Sequence, residues 1–305
     1  MYHFPNFYII IQTMITIFPI KKNTYKVDLG KESAEQFFEQ ILLSKEKKKK
    51  LNIHQIRNQL YIEDVTSVQE QYMDKPVDIV YEDSYCLIAN KPPYLLIHSD
   101  GNETDTLQAR VNSYLKQNQW YYYAQAVHRI DFETSGLVLF CKMPLLQNYY
   151  DEQFRNHTTI KQYLLVCEGT FPKKQIDIRL PLGKDRHQPN KMRVSKTGKE
   201  SFTHIEKLKT IDNETLLLAT IHTGRKHQIR VHMAHMGYPI KNDPLYGTKK
   251  DQQALALQSF HLVLKQPLSE EVIDISLPAD PRFKPFSNKH LKNTRRTLNN
   301  KTNAR

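Results

Sequence analysis

At 305 residues the chain can bury a large core, so we expect one large domain with a small appendage rather than a stapled miniature scaffold. Lys and Arg number 44 against 32 Asp and Glu, a surplus that suits nucleic acid or an acidic membrane surface as partner, and equally a merely soluble basic protein. Cys86, Cys141 and Cys167 lie far apart beside apolar runs, with no C-x-x-C spacing, which argues for reduced core thiols and against a disulfide framework or zinc knuckle.

The first element in chain order is the apolar stretch Phe7–Phe18, too short to span a bilayer and interrupted by polar residues. It reads as a β-branched strand. No basic leader precedes it and no small-residue cleavage site follows, so the expected location is the cytoplasm, without membrane attachment. Ser33 is placed to cap a helix with apolar positions Ala34, Phe37, Phe38, Ile41 and Leu42. A lysine-rich run from Lys45 to Lys50 follows. Leu51–Arg57 then reads as a second short helix and Leu60–Ile62 as a strand. Two helices with a lysine-rich junction suit either phosphate binding or a solvated helix end.

From residue 77 the chain becomes strand-rich. The expected strands are Val77–Tyr81, Cys86–Ala89, Leu137–Cys141, Tyr163–Cys167, Leu216–His222, Phe260–Leu264 and Val272–Leu277. Helical patterns cover Thr106–Leu115, Leu145–Phe154 and His227–Met236, the last ending at Gly237. The irregular interleaving predicts an α+β fold with a mostly antiparallel or mixed sheet. The tail from Lys284 carries seven Lys and Arg and no acid, and is expected to be a disordered basic arm.

Asp131 is the residue that most needs a chemical explanation. It lies in His128-Arg129-Ile130-Asp131-Phe132-Glu133-Thr134-Ser135-Gly136, just before the apolar run Leu137–Phe140. A carboxylate at the lip of a sheet beside fixed positive charge is a candidate nucleophile or acid/base, although an isolated Arg-x-Asp is more often a surface turn. Three more segments accompany it: Asn90-Lys91-Pro92-Pro93-Tyr94-Leu95-Leu96-Ile97-His98; Lys161-Gln162-Tyr163-Leu164-Leu165-Val166-Cys167-Glu168-Gly169; and Thr223–His232 followed by Gly237–Gly247.

In this order the four segments closely resemble the pseudouridine synthases of the RluA type, which modify ribosomal or transfer RNA. The resemblance covers roughly residues 75–282. It implies an α+β catalytic domain there, with a long mixed, mostly antiparallel sheet. Residues 1–74 resemble a degenerate form of the small RNA-binding module that often precedes that domain, and 283–305 would be the basic tail. The resemblance implies that Asp131 is the catalytic aspartate and that Arg230 pairs with its carboxylate. Tyr163 would stack on the flipped uracil, and Arg129 would help extrude the uridine, with His128 and Thr134 as further substrate contacts. The family's reaction breaks N1–C1′, rotates the base and bonds C5 to C1′, and so needs no cofactor or metal. Asp131 would act by attacking sugar or base, or by assisting abstraction of a sugar proton. Tyr163 is also a candidate for the later proton transfer from C5.

Ribosomal RNA is the first expected partner and transfer RNA the second, with a monomer as the default state. A non-catalytic RNA-binding or ribosome assembly factor that retains the fold is the competing class. A metal-dependent hydrolase built on His222, His227, His232 and His235 is a third. No H-E-x-x-H pattern or nearby Cys completes such a metal site. The chain departs from the family pattern at Phe132, Asn242, Gln258-Ser259 and Ser201. Phe132 bears on how RNA approaches.

Overall fold

Alternation of apolar and polar positions builds a small sheet near the start of the chain. Strands β1 (Thr16–Lys21), β2 (Thr24–Asp28), β3 (Leu51–Ile56) and β4 (Gln59–Asp64) lie in the order β1-β2-β4-β3, all antiparallel. Tyr25, Val27, Leu60 and Ile62 face inward and are wholly buried. Helix α1 (Ala34–Gln40) begins at Ser33, whose hydroxyl accepts the Gln36 amide while the Gln36 side chain accepts the Ser33 amide. Its Phe37 and Phe38 join the same apolar cluster. A short helix α2 (Lys45–Lys48) precedes β3.

The computed structural model describes residues 15–66, 69–120, 122–248, 253–269 and 271–286. Most of the expected first strand (residues 7–14) and of the basic tail (287–305) lies outside them. Leu51–Arg57 is not the expected helix but strand β3 and the start of a turn. Its register with β4 places Ile53 opposite Ile62, across the two-residue turn Arg57–Asn58, with Arg57 in the left-handed region at φ 56°. Cross-strand pairing here outweighs the local helical pattern.

One mixed sheet of ten strands among the described residues carries the rest of the chain. Its strands are β5 (Asp78–Glu82), β6 (Cys86–Lys91), β7 (Gln125–Ala126), β8 (Ser135–Cys141), β9 (Ile160–Glu168), β10 (Gln175–Ile178), β13 (Thr203–Ile211), β14 (Glu214–Ile221), β15 (Leu257–Lys265) and β16 (Val272–Ser276). A separate ribbon pairs β11 (Leu182–Lys184) with β12 (Met192–Val194). The main path runs β10-β13-β14-β9-β15-β8-β6-β5, with β16 on β15 and β7 on β8. The β8–β15 contact is parallel and the other pairings are antiparallel. Helices α3 (Leu107–Gln117), α4 (Gln147–Arg155) and α5 (Gln228–His235) fall at the three expected places. This is the α+β fold the sequence predicts. No helix among the described residues is long and apolar enough to cross a membrane.

Strand β8 is buried along its whole length, so it reads as a continuous apolar run. Val138 and Phe140 belong to one core cluster, and Leu137, Leu139 and Cys141 to the other. The second cluster also holds Tyr25, Val27 and Phe37. Tyr25 stacks on Tyr122 at 4.6 Å, and the Tyr122 hydroxyl donates to the Thr24 carbonyl. The N-terminal unit is therefore docked on one face of the large sheet. Ordered chain also extends past the expected boundary at residue 282. Pro281–Phe286 forms a 3-10 turn that buries Phe283 and Phe286, and Arg282 ties it to Ser135. The two phenylalanines give this part of the basic tail the apolar anchor that lysine-rich sequence lacks.

Gly136 fixes how closely β8 approaches β15. Its φ is 114°, and a Cβ there would lie 2.1 Å from the Ser259 carbonyl oxygen. Gly136→Ala is expected to cost more than about 2 kcal/mol, because both the backbone region and the space exclude a methyl group. Chemical denaturation checks this; an unchanged midpoint would mean the two strands can part without penalty.

Candidate active site

The turn 131–134 is closed by the Thr134 amide, which donates to the Asp131 carbonyl at 3.1 Å. Its side chains alternate in direction. Asp131 and Glu133 point to Arg230, while Phe132 points outward and is 44% exposed. A buried lysine holds the turn from beneath. Lys91, at the end of β6, donates to the carbonyls of Pro92, Leu95 and Phe132 at 3.0, 2.9 and 2.9 Å. Burial lowers this amine to about 7, against the opposing pull of Asp131 and Glu133. The Tyr94 amide donates to the same Phe132 carbonyl at 2.7 Å.

Arg230 enters from α5 and is fully buried. Its Nε and Nη2 make a bidentate pair with Asp243, at 2.8 and 2.9 Å. Its Nη1 reaches Glu133 at 3.0 Å and Asp131 at 3.5 Å. Asp243 is itself fixed, because its Oδ1 accepts the amides of Leu245 and Tyr246 at 2.9 and 3.1 Å. Burial alone would lower the guanidinium, but the Asp243 hydrogen bonds and the surrounding carboxylates raise it above its ordinary value. One permanent cation thus stands among three acids.

The start of α5 is built around Gln228. Its amide oxygen accepts from the Thr223 hydroxyl and the Arg225 amide, and its nitrogen donates to Phe202 and Thr203. Every hydrogen-bonding position of that side chain is used. His227, just before it, takes a left-handed backbone at φ 55°. This strained conformation aims its amide at the Asp131 carboxylate. The Tyr246 hydroxyl accepts the Met192 amide at 2.8 Å and lies 2.8 Å from His227 Nδ1. Burial, then Arg230 and Lys226, lower His227 to about 4, so the ring is neutral near pH 7.

Burial raises the Asp131 carboxyl above the usual range, against the lowering effects of Arg230 and the His227 amide. Sheet register brings Tyr163 to the same place. Gly136 pairs with Ser259, and Ser259 with Tyr163, so three strands put the chain just after the 131–134 turn and this ring in one row. Tyr163 is buried, its hydroxyl lies beside Ser259, and burial keeps that hydroxyl protonated.

Arg129 is exposed at the entry to the turn, close to His98. The expected substrate contact His128 turns its ring to the strand behind the motif. Its ring stacks on Phe154 at 4.7 Å, and its Nε2 accepts the Leu139 amide at 3.1 Å. Burial and Lys161 lower it to about 3. His128 therefore secures the strand as a neutral acceptor. Thr134 is also interior at 2% exposure, and its amide closes the turn.

Other histidines are occupied as well. His232 lies between Thr203, Ser201 and the Leu180 carbonyl, at 2.9, 3.0 and 3.1 Å. His222 stacks on Phe202, and His235 is exposed. Among the described residues no three His, Cys, Asp or Glu side chains are grouped to hold a metal ion.

Three departures from the family pattern acquire local reasons. Asn242 has φ 61°, a left-handed backbone that Asn tolerates better than most residues. Ser201 donates to the Leu180 carbonyl and meets His232. Gln258 bonds Pro278 and Asp280, fastening the end of the chain to β15. Glu133 and Asp243 are the site residues that the sequence reading left without a role. Asp243 lay inside a segment already singled out, and Glu133 two places from Asp131. Their signal was the excess of acids around one buried arginine, which only the fold makes visible.

Residues 85–235 match the family model described as RNA pseudouridylate synthase. YhcT of Bacillus subtilis, an uncharacterized RNA pseudouridine synthase, is 33% identical over 225 residues, which cover 71% of this chain and 73% of that protein. Ribosomal large subunit pseudouridine synthase C of Buchnera aphidicola is 33% identical over 217 residues, covering 68% of each chain. The structure of human RNA pseudouridylate synthase domain containing 1 shares the fold. Its TM-score is 0.58 at 24% identity, over 70% of this chain and 87% of that one.

Proposed function

The chain belongs to the RNA pseudouridylate synthase family and is an RNA pseudouridine synthase, and we propose that it isomerises uridines of structured ribosomal RNA with Asp131 as the essential carboxylate. The observation that carries this reading is the wholly buried Arg230, which is locked to Asp243 and turns its outer edge to Glu133 and Asp131 together. An arginine so placed favours the ionised form of a carboxylate against the opposing effect of burial. That ionised oxygen is what either route requires, attack on sugar or base, or abstraction of a sugar proton.

The remaining residues fall into supporting roles. Arg129, exposed at the rim, takes the place of the extruded uridine. Unstacking a base costs a few kcal/mol, and an aromatic face in the pocket returns about 1–3 kcal/mol. Tyr163 supplies that face. With its hydroxyl protonated it contributes a ring and a hydrogen-bond donor, which leaves the proton at C5 to Asp131 or water.

Tritium placed at C5 of uridine must leave when C5 becomes bonded to C1′. Ribosomal RNA from cells lacking this protein, labelled in this way, is expected to release tritium to the purified protein. Release from transfer RNA alone would replace the substrate. No release from either would overturn the reading.

A further inference from the structure

Two exposed aromatic rings stand on the catalytic turn and its clamp. Phe132 immediately follows Asp131, and Tyr94 is 52% exposed. Their rings meet edge to face at 5.7 Å. Neither ring contributes to the core, and isolated exposed aromatics of this size need an explanation when they touch each other. Both are held rigidly. The Phe132 carbonyl accepts from the Tyr94 amide and from Lys91, which also ties down Pro92 and Leu95. Tyr94 sits at φ 61°, a left-handed conformation unfavourable to a non-glycine residue. Strain of this kind persists where the surroundings hold a side chain in a working position.

Position decides what the rings can meet. The turn sends the Asp131 and Glu133 carboxylates inward and the intervening Phe132 ring outward. A target base lying against Asp131 therefore has its chain neighbours at the level of Phe132 and Tyr94, with Arg129 exposed at the entry to the same turn. An unpaired base offers a flat π face, and an aromatic ring that is already ordered stacks on it at little entropic cost.

We propose that Tyr94 and Phe132 form a stacking step for an unpaired nucleobase next in sequence to the extruded uridine, and so help to select the RNA site. This rests on Asp131 being the carboxylate that meets the target base. The selection is for a single-stranded neighbour, because a paired and stacked base cannot present its face to the step.

The probe is a ribosomal RNA stem-loop that the wild-type protein binds, carrying 2-aminopurine beside a loop uridine. The wild-type protein is expected to quench the fluorescence on one side of that uridine. Phe132→Ala should bind the RNA without that quenching, and Phe132→Trp should restore it. Tyr94→Gly removes the other ring while suiting the left-handed backbone, and should behave like Phe132→Ala without loss of folding. In tritium release, deleting the neighbouring base should cost the wild-type enzyme about tenfold in kcat/KM and cost Phe132→Ala nothing further. Equal losses in both enzymes, or quenching that survives in Phe132→Ala and Tyr94→Gly, would overturn the proposal. Absence of tritium release from every RNA would instead remove the function it rests on, while the fluorescence still reports whether the rings hold a base.

Discussion

Arg230→Met is expected to lose about 3–5 kcal/mol of stability and all measurable activity. Methionine fills much of the volume but leaves Asp131, Glu133 and Asp243 facing one another without the cation among them. Asp243 suffers most directly, because it is wholly buried and both its oxygens are committed to the guanidinium. The pH dependence identifies the cause. Asp131 is already raised by burial, and without Arg230 it rises further. A carboxyl whose folded pKa lies above its unfolded value binds an extra proton on folding, so stability falls as pH rises through that interval. Arg230→Met should therefore regain stability between about pH 8 and about pH 5, a recovery much larger than that of the wild type. Arg230→Lys should recover part of the stability but little activity, since a point charge cannot span Asp243 and Asp131 together. Denaturant titrations at the two pH values provide the measurement. A loss independent of pH would show that packing, not charge, is what Arg230 supplies.

The legible part of this molecule is the part where local chemistry and tertiary structure agree. The helix at α5 was readable because Gly237 stops it, and its start at Gln228 falls within one residue of expectation. Strands β8 and β9 were readable because burial on both faces makes them continuous apolar runs. The long strand β13 went unseen, since THIEKLKTI carries two lysines and a glutamate and lies towards the edge of the sheet. Strand β3 was mistaken for a helix because its outer half is exposed and polar, and only its pairing with β4 shows the period of two. The motif around Asp131 lies where acids gather about Arg230, but its residues face different ways. His128 lies in the motif and works for the strand behind it, whereas Glu133 lies in the same motif and faces Arg230. Sequence spacing cannot tell an inward residue from an outward one in a turn. The turn sends Asp131 and Glu133 inward and Phe132, between them, outward.

Asp131→Asn should reduce tritium release on the order of 10⁴-fold or more, yet melt no lower than the wild type near pH 7. The two expectations come from the same physics. Asparagine keeps the shape and a hydrogen-bonding oxygen, but it cannot carry the negative charge that attack or proton abstraction needs. The folded state holds the Asp131 proton to a higher pH than the unfolded chain does, so ionising this group costs folding free energy above that range. Asparagine removes the cost, and Arg230 keeps Glu133 and Asp243 as partners. Any advantage in Tm over the wild type should shrink as pH falls through the raised folded range and vanish only below about 3, under the unfolded-state value of about 3.9, where the wild-type carboxyl is protonated in both states. RNA affinity should change little, because the side chain contributes chemistry and not grip. Glu133→Gln is the necessary control. Glu133 lies nearer to Arg230 than Asp131 does, at 3.0 Å against 3.5 Å, so proximity alone would nominate the wrong acid. Arg230 holds Glu133 by its Nη1 and Nη2, whereas Asp131 meets only one nitrogen at the longer distance and also receives the His227 amide. Asp131 is thus the acid held less closely by Arg230, in the turn that leads into the Gly136–Ser259–Tyr163 row. Retained activity in Asp131→Asn with loss in Glu133→Gln would reverse the assignment, and a fall in Tm alongside activity would make Asp131 a structural partner of Arg230.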